Sequence, residues 1–145
     1  MQEAPYEKDI LLAEDDADDV FLFELALKEL NAPYILRHAS NGDVLFVLLK
    51  EKTPYILFLD VQMPCKGGVA CVVDIRKNRD YDSLPIIMYT SNFSDKIVED
   101  CYRNGANLYL TKTNTFAELT EKLRKIFAHD WDQYLQYPPQ SQFVS

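Results

Sequence analysis

The chain has 145 residues, 48% of them hydrophobic, which is enough for one domain with a full apolar core. A formal net charge of −8 argues against nucleic acid and anionic membranes as partners. No apolar run approaches the ~20 residues of a membrane span, and residues 1–5 lack a signal-peptide pattern. Cys71 and Cys101 are expected in the core and Cys65 in a loop; three cysteines without C-x-x-C spacing fit reduced thiols and a cytoplasmic location.

Short apolar runs alternate with helical patterns five times along the chain. The predicted strands cover about residues 9–13, 34–38, 55–59, 84–89 and 107–111. The predicted helices cover about 17–30 (capped by Asp16), 42–52, 67–77, 95–104 and a stretch beginning near 115, with Gly105 just past the fourth. Four runs are almost uninterrupted apolar sequence, as in strands covered on both faces. The pattern predicts an α/β three-layer sandwich around a five-stranded parallel sheet.

Polar side chains stand where four of these strands end. Glu14 and Asp15 follow the first strand, Asp60 follows the third, Thr90 closes the fourth and Lys112 follows the fifth. Open parallel sheets bind ligands beyond the carboxyl ends of their strands. A cluster of carboxylates with a lysine and a hydroxyl suits a divalent cation and a phosphoryl group.

Four segments carry a family resemblance: ILLAEDD at 10–16, LDVQMP at 59–64 with the glycine pair at 67–68, MYTS at 88–91 and GANLYLTK at 105–112. In this order and spacing they resemble the CheY-like receiver domain of two-component response regulators. The resemblance implies a flavodoxin-like sheet order of 2-1-3-4-5 and a receiver domain over residues 9–128. Residues 1–8 would be an N-terminal extension. Residues 129–145 would be a C-terminal extension without an output domain, similar to the tails of single-domain receivers that partner bacterial phytochrome-type kinases.

The resemblance also implies a reaction. Asp60 would be the phosphoacceptor, taking a phosphoryl group from a histidine of a sensor histidine kinase or a histidine phosphotransfer protein. Asp15 and Asp60 would bind Mg²⁺ (or Mn²⁺) directly, Glu14 would bind it through a water, and the backbone carbonyl of Gln62 would complete the ligands. Lys112 would pair with Asp60 and then with the phosphoryl group. Such a protein is a signalling domain that catalyses only its own phosphorylation and slow dephosphorylation.

A conformational switch is part of the same expectation. Thr90 would move toward the phosphoryl group and Tyr109 would swing inward behind it, although static packing of Tyr109 is an equal alternative. The movement would couple the site to the face of the fourth helix, fifth strand and fifth helix. Thr113 stands where the family commonly has proline, which leaves open whether the Lys112–Thr113 peptide bond is cis or trans.

The C-terminal tail is rich in aromatic residues. The spacing of Phe127, Trp131, Tyr134 and Leu135 predicts that the last helix extends to about Gln136, and the proline pair that follows would stop it. Two alternatives remain open for this tail. It packs on its own domain, or it forms a homodimer surface together with the fourth helix, fifth strand and fifth helix.

Three rival functions are weighed against the receiver. A flavodoxin-like electron carrier is disfavoured because the acidic loop at 14–17 would repel a flavin phosphate. A dehalogenase-type aspartyl-phosphate hydrolase needs a second aspartate where Gln62 stands. A degenerate receiver that serves only as a protein-binding scaffold is the remaining alternative, although all of its key positions are filled.

Overall fold

The computed structural model describes residues 8–31, 33–113, 115–129, 131, 143 and 144. Five strands alternate with five α-helices, as predicted. The strands are β1 (Lys8–Ala13), β2 (Tyr34–Ala39), β3 (Ile56–Leu59), β4 (Ile86–Thr90) and β5 (Leu108–Thr111). The helices are α1 (Ala17–Glu29), α2 (Gly42–Glu51), α3 (Gly68–Lys77), α4 (Asp95–Arg103) and α5 (Phe116–Ala128), with a 3-10 turn at Arg79–Tyr81 before β4.

The five strands form one parallel sheet in the order β2-β1-β3-β4-β5, which confirms the predicted fold class and strand order. β1 and β3 are direct neighbours, and Ala13 is in register with Leu59. The backbone N–H of Asp60 donates to the carbonyl of Ala13 at 3.0 Å. The residues that follow these two strands therefore leave the sheet side by side.

Helices cover both faces of the sheet, and two apolar clusters result. Leu11 and Leu57 belong to the cluster beneath α2, α3 and α4, whereas Leu12 and Phe58 belong to the cluster beneath α1 and α5. Neighbouring strand residues point to opposite faces, so each of these strands supplies both clusters. This two-sided burial is why β3, β4 and the last four residues of β1 are almost wholly apolar.

Local backbone signals are confirmed at several helix ends. The side chain of Asp16 caps α1 by accepting the N–H groups of Asp18 and Asp19. Gly105 has a φ of 106° just after α4, a conformation that favours glycine. Among the described residues no peptide bond is cis, so the Lys112–Thr113 bond is trans.

The predicted extension of the last helix is wrong. α5 ends at Ala128, and His129 is already extended, with φ −73° and ψ 143°. Trp131 lies buried in the cluster beneath α5, and its indole N–H donates to the carbonyl of Ile126 at 2.9 Å. Burial of the indole with its donor satisfied outweighs one more turn of amphipathic helix. Tyr134, Leu135 and Gln136 lie outside the described residues.

Phe143 and Val144 pack on β5. The backbone N–H of Tyr109 donates to the carbonyl of Phe143 at 2.9 Å, and Val144 forms a parallel bridge with Tyr109. The ring of Phe143 is fully buried against Tyr102 and Tyr109, with centroids 5.2 and 6.1 Å away. Two described parts of the tail, at 131 and 143–144, thus pack on their own domain. No helix in the described part of the chain has the length and apolarity to cross a membrane.

Candidate functional site

An acidic cluster lies at the carboxyl edge of the sheet. Glu14, Asp15 and Asp60 each place a carboxylate oxygen within 4.8 Å of the others. Glu14 and Asp60 are buried, and Asp15 is exposed. The cluster exists because β1 and β3 are adjacent and in register, so residues distant in sequence meet at one edge. All three carboxylates were expected there from the sequence.

Glu14 is the most constrained member of the cluster, with an exposure of 1%. Its Oε1 accepts the N–H of Asp16 at 3.1 Å. Its Oε2 is buried without a hydrogen-bond partner, because Lys112 Nζ lies 2.7 Å away as an ion pair but outside hydrogen-bonding geometry. Burial raises the pKa of Glu14 to about 7; Lys112 opposes the rise and the charge of Asp60 adds to it.

The three carboxylates fit a hard divalent cation. Two like charges ~4 Å apart repel by about 4 kcal/mol at an effective dielectric of ~20. The buried Oε2 of Glu14 accepts no hydrogen bond and is paired only with the charge of Lys112, so it can still interact with a cation or with the water of a cation. Oxygen donors from carboxylates, completed by waters, are what Mg²⁺ and Mn²⁺ prefer.

Asp60 follows β3, and both of its carboxylate oxygens are engaged. Oδ1 accepts the N–H of Gln62 at 3.1 Å, and Oδ2 accepts Lys112 Nζ at 2.9 Å. The first bond places the peptide of Gln62 beside the cluster, while the predicted role of its carbonyl as a ligand remains a prediction. The loop after Gln62 returns to Asp60 at Gly68, whose N–H donates to the carbonyl of Val61 at 2.8 Å.

Lys112 reaches into the cluster from the end of β5. Its Nζ lies 2.7 Å from Glu14, 2.8 Å from Asp19 and 2.9 Å from Asp60. Burial alone would lower the pKa of Lys112, but its contacts with these three carboxylates raise it above its ordinary value, so the ammonium stays charged. The backbone N–H of Lys112 donates to the carbonyl of Thr90 at 2.8 Å, which fixes the base of the side chain.

Asp19 was not among the site residues expected from the sequence. Asp15 precedes the N-cap Asp16 and lies outside α1, so helical spacing gives no signal that joins Asp15 to Asp19. The cap formed by Asp16 places Asp19 in the first turn of α1. Asp19 then faces Lys112 across the edge of the sheet.

Thr90 and Tyr109 are linked through the backbone of Asn92. Thr90 is buried at the end of β4, and its Oγ1 accepts the N–H of Asn92 at 3.2 Å. The hydroxyl of Tyr109 donates to the carbonyl of the same residue at 2.5 Å. Burial raises the pKa of Tyr109 to about 12, so its hydroxyl remains a donor. A displacement of the loop after Thr90 would therefore move the hydrogen-bond acceptor of Tyr109.

The chain is similar to known proteins over most of its length. Residues 10–124 match the family model for the response regulator receiver domain. The chain belongs to the response regulator receiver family. Receivers take phosphoryl groups from histidine kinases and signal in a phosphorylation-dependent way.

The similar proteins include response regulators with solved structures. Response regulator Rcp1 from Synechocystis sp. is 26% identical over 126 residues, covering 82% of this chain and 86% of Rcp1. The crystal structure of its Mn²⁺-bound form has a TM-score of 0.76 at 25% identity, covering 91% of this chain and 99% of that one. The phosphorylated cyanobacterial phytochrome response regulator RcpA, 21% identical with a TM-score of 0.79 and coverage of 92% and 99%, shows the fold alone.

Some relatives are much longer. The transcriptional regulatory protein CitT from Bacillus subtilis is 30% identical over 117 residues, which cover 81% of this chain. This chain spans only 49% of CitT. The likeness to CitT thus concerns the shared receiver domain.

Proposed function

We propose that this receiver accepts a phosphoryl group on Asp60 from a histidine of a sensor histidine kinase or a histidine phosphotransfer protein. The supporting observation is the position of the Asp60 carboxylate, buried between the ammonium of Lys112 and the carboxylates of Glu14 and Asp15. Receiver bounds of 9–128 are part of the proposal. The three free cysteines support the predicted cytoplasmic location.

The transfer would exchange one bond to phosphorus for another. An oxygen of Asp60 forms a P–O bond as the P–N bond to the donor histidine breaks, and the ring nitrogen keeps the electron pair of that bond. The donor leaves as a neutral imidazole when its other ring nitrogen carries a proton. Lys112 follows the negative charge from Asp60 to the phosphoryl oxygens, and the burial of Asp60 limits the access of water to the acyl phosphate.

Asp15, Asp60 and the carbonyl of Gln62 would hold Mg²⁺ or Mn²⁺, with Glu14 acting through a water. When bound, the cation neutralises the cluster and the charge of the transferring group. The buried Oε2 of Glu14, which accepts no hydrogen bond, supports this set of ligands, as does the Mn²⁺-bound form of the related Rcp1.

The proposed response involves Thr90 and Tyr109. Thr90 would turn its hydroxyl toward the phosphoryl group, giving up the N–H of Asn92. Because Tyr109 is bonded to the carbonyl of Asn92, the loop and the tyrosine would shift together. The result is a changed population of two arrangements of the α4, β5 and α5 face, which a downstream protein could read.

A homodimer through α4, β5, α5 and the tail is the second element of the proposal. The tail already borders this face, because Phe143 packs on Tyr102 of α4 and Tyr109 of β5. Sedimentation of the full chain and of a chain ending at Ala128 tests it. We expect the full chain to sediment as a dimer and the truncated chain as a monomer. Monomeric behaviour of both chains would contradict the proposed dimer.

The deciding experiment is incubation of the full chain with Mg²⁺ and a small acyl-phosphate donor, followed by intact mass. A single phosphoryl adduct is expected in the wild type and in Asp82→Asn, a control with an exposed aspartate ahead of β4. It should be absent in Asp60→Asn. Failure of the wild type to form the adduct would overturn the proposal and leave the scaffold alternative.

A further inference from the structure

We propose that Asp19 is a positioning residue for the phosphoryl transfer: it holds the ammonium of Lys112 at Asp60 from the side of α1. This proposal rests on the proposed function of Asp60. It concerns a residue that belongs to none of the motifs that carry the family resemblance. Asp19 acts through Lys112 and is not itself expected to touch the phosphoryl group.

The geometry around Lys112 singles out two directed bonds. A lysine ammonium carries three protons, and three carboxylates lie within 2.9 Å of this one. Only the contacts to Asp19 Oδ2 and Asp60 Oδ2 satisfy hydrogen-bonding geometry. Lys112 is 14% exposed, so water competes weakly for these protons.

Asp19 differs from the other two partners in its surroundings. Glu14 and Asp60 both belong to the cluster that would hold a cation, whereas Asp19 does not. A bound cation would neutralise part of the charge of Glu14 and Asp60. Phosphorylation would also convert the carboxylate of Asp60 into an acyl phosphate. Asp19 is then the one carboxylate among these three partners whose charge stays available to Lys112.

The position of Asp19 is itself fixed. It stands in the first turn of α1, where its N–H donates to the capping side chain of Asp16 at 3.3 Å. The ring of Tyr89 lies 5.5 Å from the ammonium of Lys112 and limits its movement further. Lys112 is therefore held between a helix terminus and the end of a strand, both of them rigid elements.

A purely structural role would be a bridge between α1 and the end of β5. Asp19 is 26% exposed, and partly exposed ion pairs contribute little to stability. A bridge of this kind would change unfolding but not the rate of phosphoryl transfer. The two roles are therefore separable by experiment.

The test compares Asp19→Asn with Asp18→Asn in the full chain. Both variants remove one negative charge from the first turn of α1, but Asp18 is exposed and makes no contact with Lys112 in the structure. With Mg²⁺ saturating, the maximal rate of phosphorylation by a small acyl-phosphate donor is followed by intact mass. The expected result is a rate about fivefold or more below that of Asp18→Asn, with Mg²⁺ affinities of the two variants within about twofold.

Asp19→Glu should recover part of the rate, because it restores the carboxylate on a longer arm. In a Lys112→Met background, the change Asp19→Asn should have no further effect on the rate. Equal rates for Asp19→Asn and Asp18→Asn would overturn the role of Asp19, as would a full additional loss of rate in the Lys112→Met background. Neither result would overturn the proposed function of Asp60. A wild type that forms no adduct would overturn both this role and the proposed function.

Discussion

Gly68 lies directly against the backbone of Asp60. A Cβ built on Gly68 would come within 2.2 Å of the carbonyl oxygen of Asp60 and 2.8 Å of the Cα of Val61. No side chain fits there unless the backbone that carries Asp60 moves. Because the loop after β3 folds back onto the backbone of Asp60 and Val61, the first residue of α3 has to be a glycine.

Gly68→Ala should destabilise the fold and displace Asp60. We expect a loss of about 1–3 kcal/mol in the free energy of unfolding, together with slower phosphorylation. Gly67→Ala is the matched control, since a Cβ there would meet only the carbonyl oxygen of Val61 at 3.5 Å, an ordinary contact. Urea unfolding and the adduct assay measure both effects. Equal behaviour of the two variants would show that the close approach at Gly68 does not constrain the site.

Glu14→Gln should stabilise the metal-free protein at pH 8 and weaken the binding of Mg²⁺. The folded chain raises the pKa of Glu14 to about 7 from an ordinary value of 4.5. Between these values the folded state binds more protons here than the unfolded state, so the free energy of unfolding falls as the pH rises. Glutamine does not titrate, so its side chain adds no such pH dependence. The difference in the free energy of unfolding between Glu14→Gln and the wild type should therefore shrink toward pH 5. Urea unfolding with a chelator at both pH values measures it; a wild type more stable than Glu14→Gln at pH 8 would contradict it.

The three thiols should differ in reactivity. Burial raises the pKa of Cys101 to about 12 and also raises that of Cys71, whereas Cys65 is exposed. A thiol reagent at pH 8 should label one cysteine in the native protein and all three in urea. Cys65→Ser should abolish the native reaction, and Cys101→Ser should leave it unchanged. Rapid native labelling of Cys71 or Cys101 would contradict the packing of α3 and α4.

Phe143→Ala should loosen the end of the chain from β5. The ring is fully buried against Tyr102 and Tyr109, so we expect a loss of about 1–3 kcal/mol in the free energy of unfolding. The amide of Tyr109, which donates to the carbonyl of Phe143, should also exchange its proton faster. Val144→Ala is the control, because that side chain is exposed. An unchanged Tyr109 amide in Phe143→Ala would mean that the tail does not protect the edge of β5.

Much of the fold followed from local patterns. Apolar runs and their spacing predicted the alternation of strands and helices, and the polar residues that end those runs predicted the edge where Glu14, Asp15, Asp60 and Lys112 meet. The cap at Asp16 was also predictable, because the first turn of a helix needs an acceptor whatever the rest of the chain does. These features depend on neighbours in sequence or on the parallel sheet as a whole.

The remaining features depend on contacts between distant residues. Helical periodicity favoured a longer α5, but the indole of Trp131 is buried beneath that helix and the helix stops at Ala128. The packing of Phe143 on β5 has no local signal, because Phe143 and Tyr109 are far apart in the sequence. Asp19 was recognised only once its distance to Lys112 was known.

The central claim is that carboxylates after β1 and β3 share one divalent cation, and a Mg²⁺ titration tests it most directly. Amide chemical shifts near the cluster are the appropriate signal. The fluorescence of Trp131 is not a suitable signal, because the indole lines a pocket with Tyr55 and Pro85 at the opposite edge of the sheet. The account predicts saturable binding by the wild type and by the control Asp82→Asn, and affinities weaker by about tenfold or more in Asp15→Asn and Asp60→Asn. Wild-type affinity in either of the last two variants, or no response around the cluster in the wild type, would contradict it.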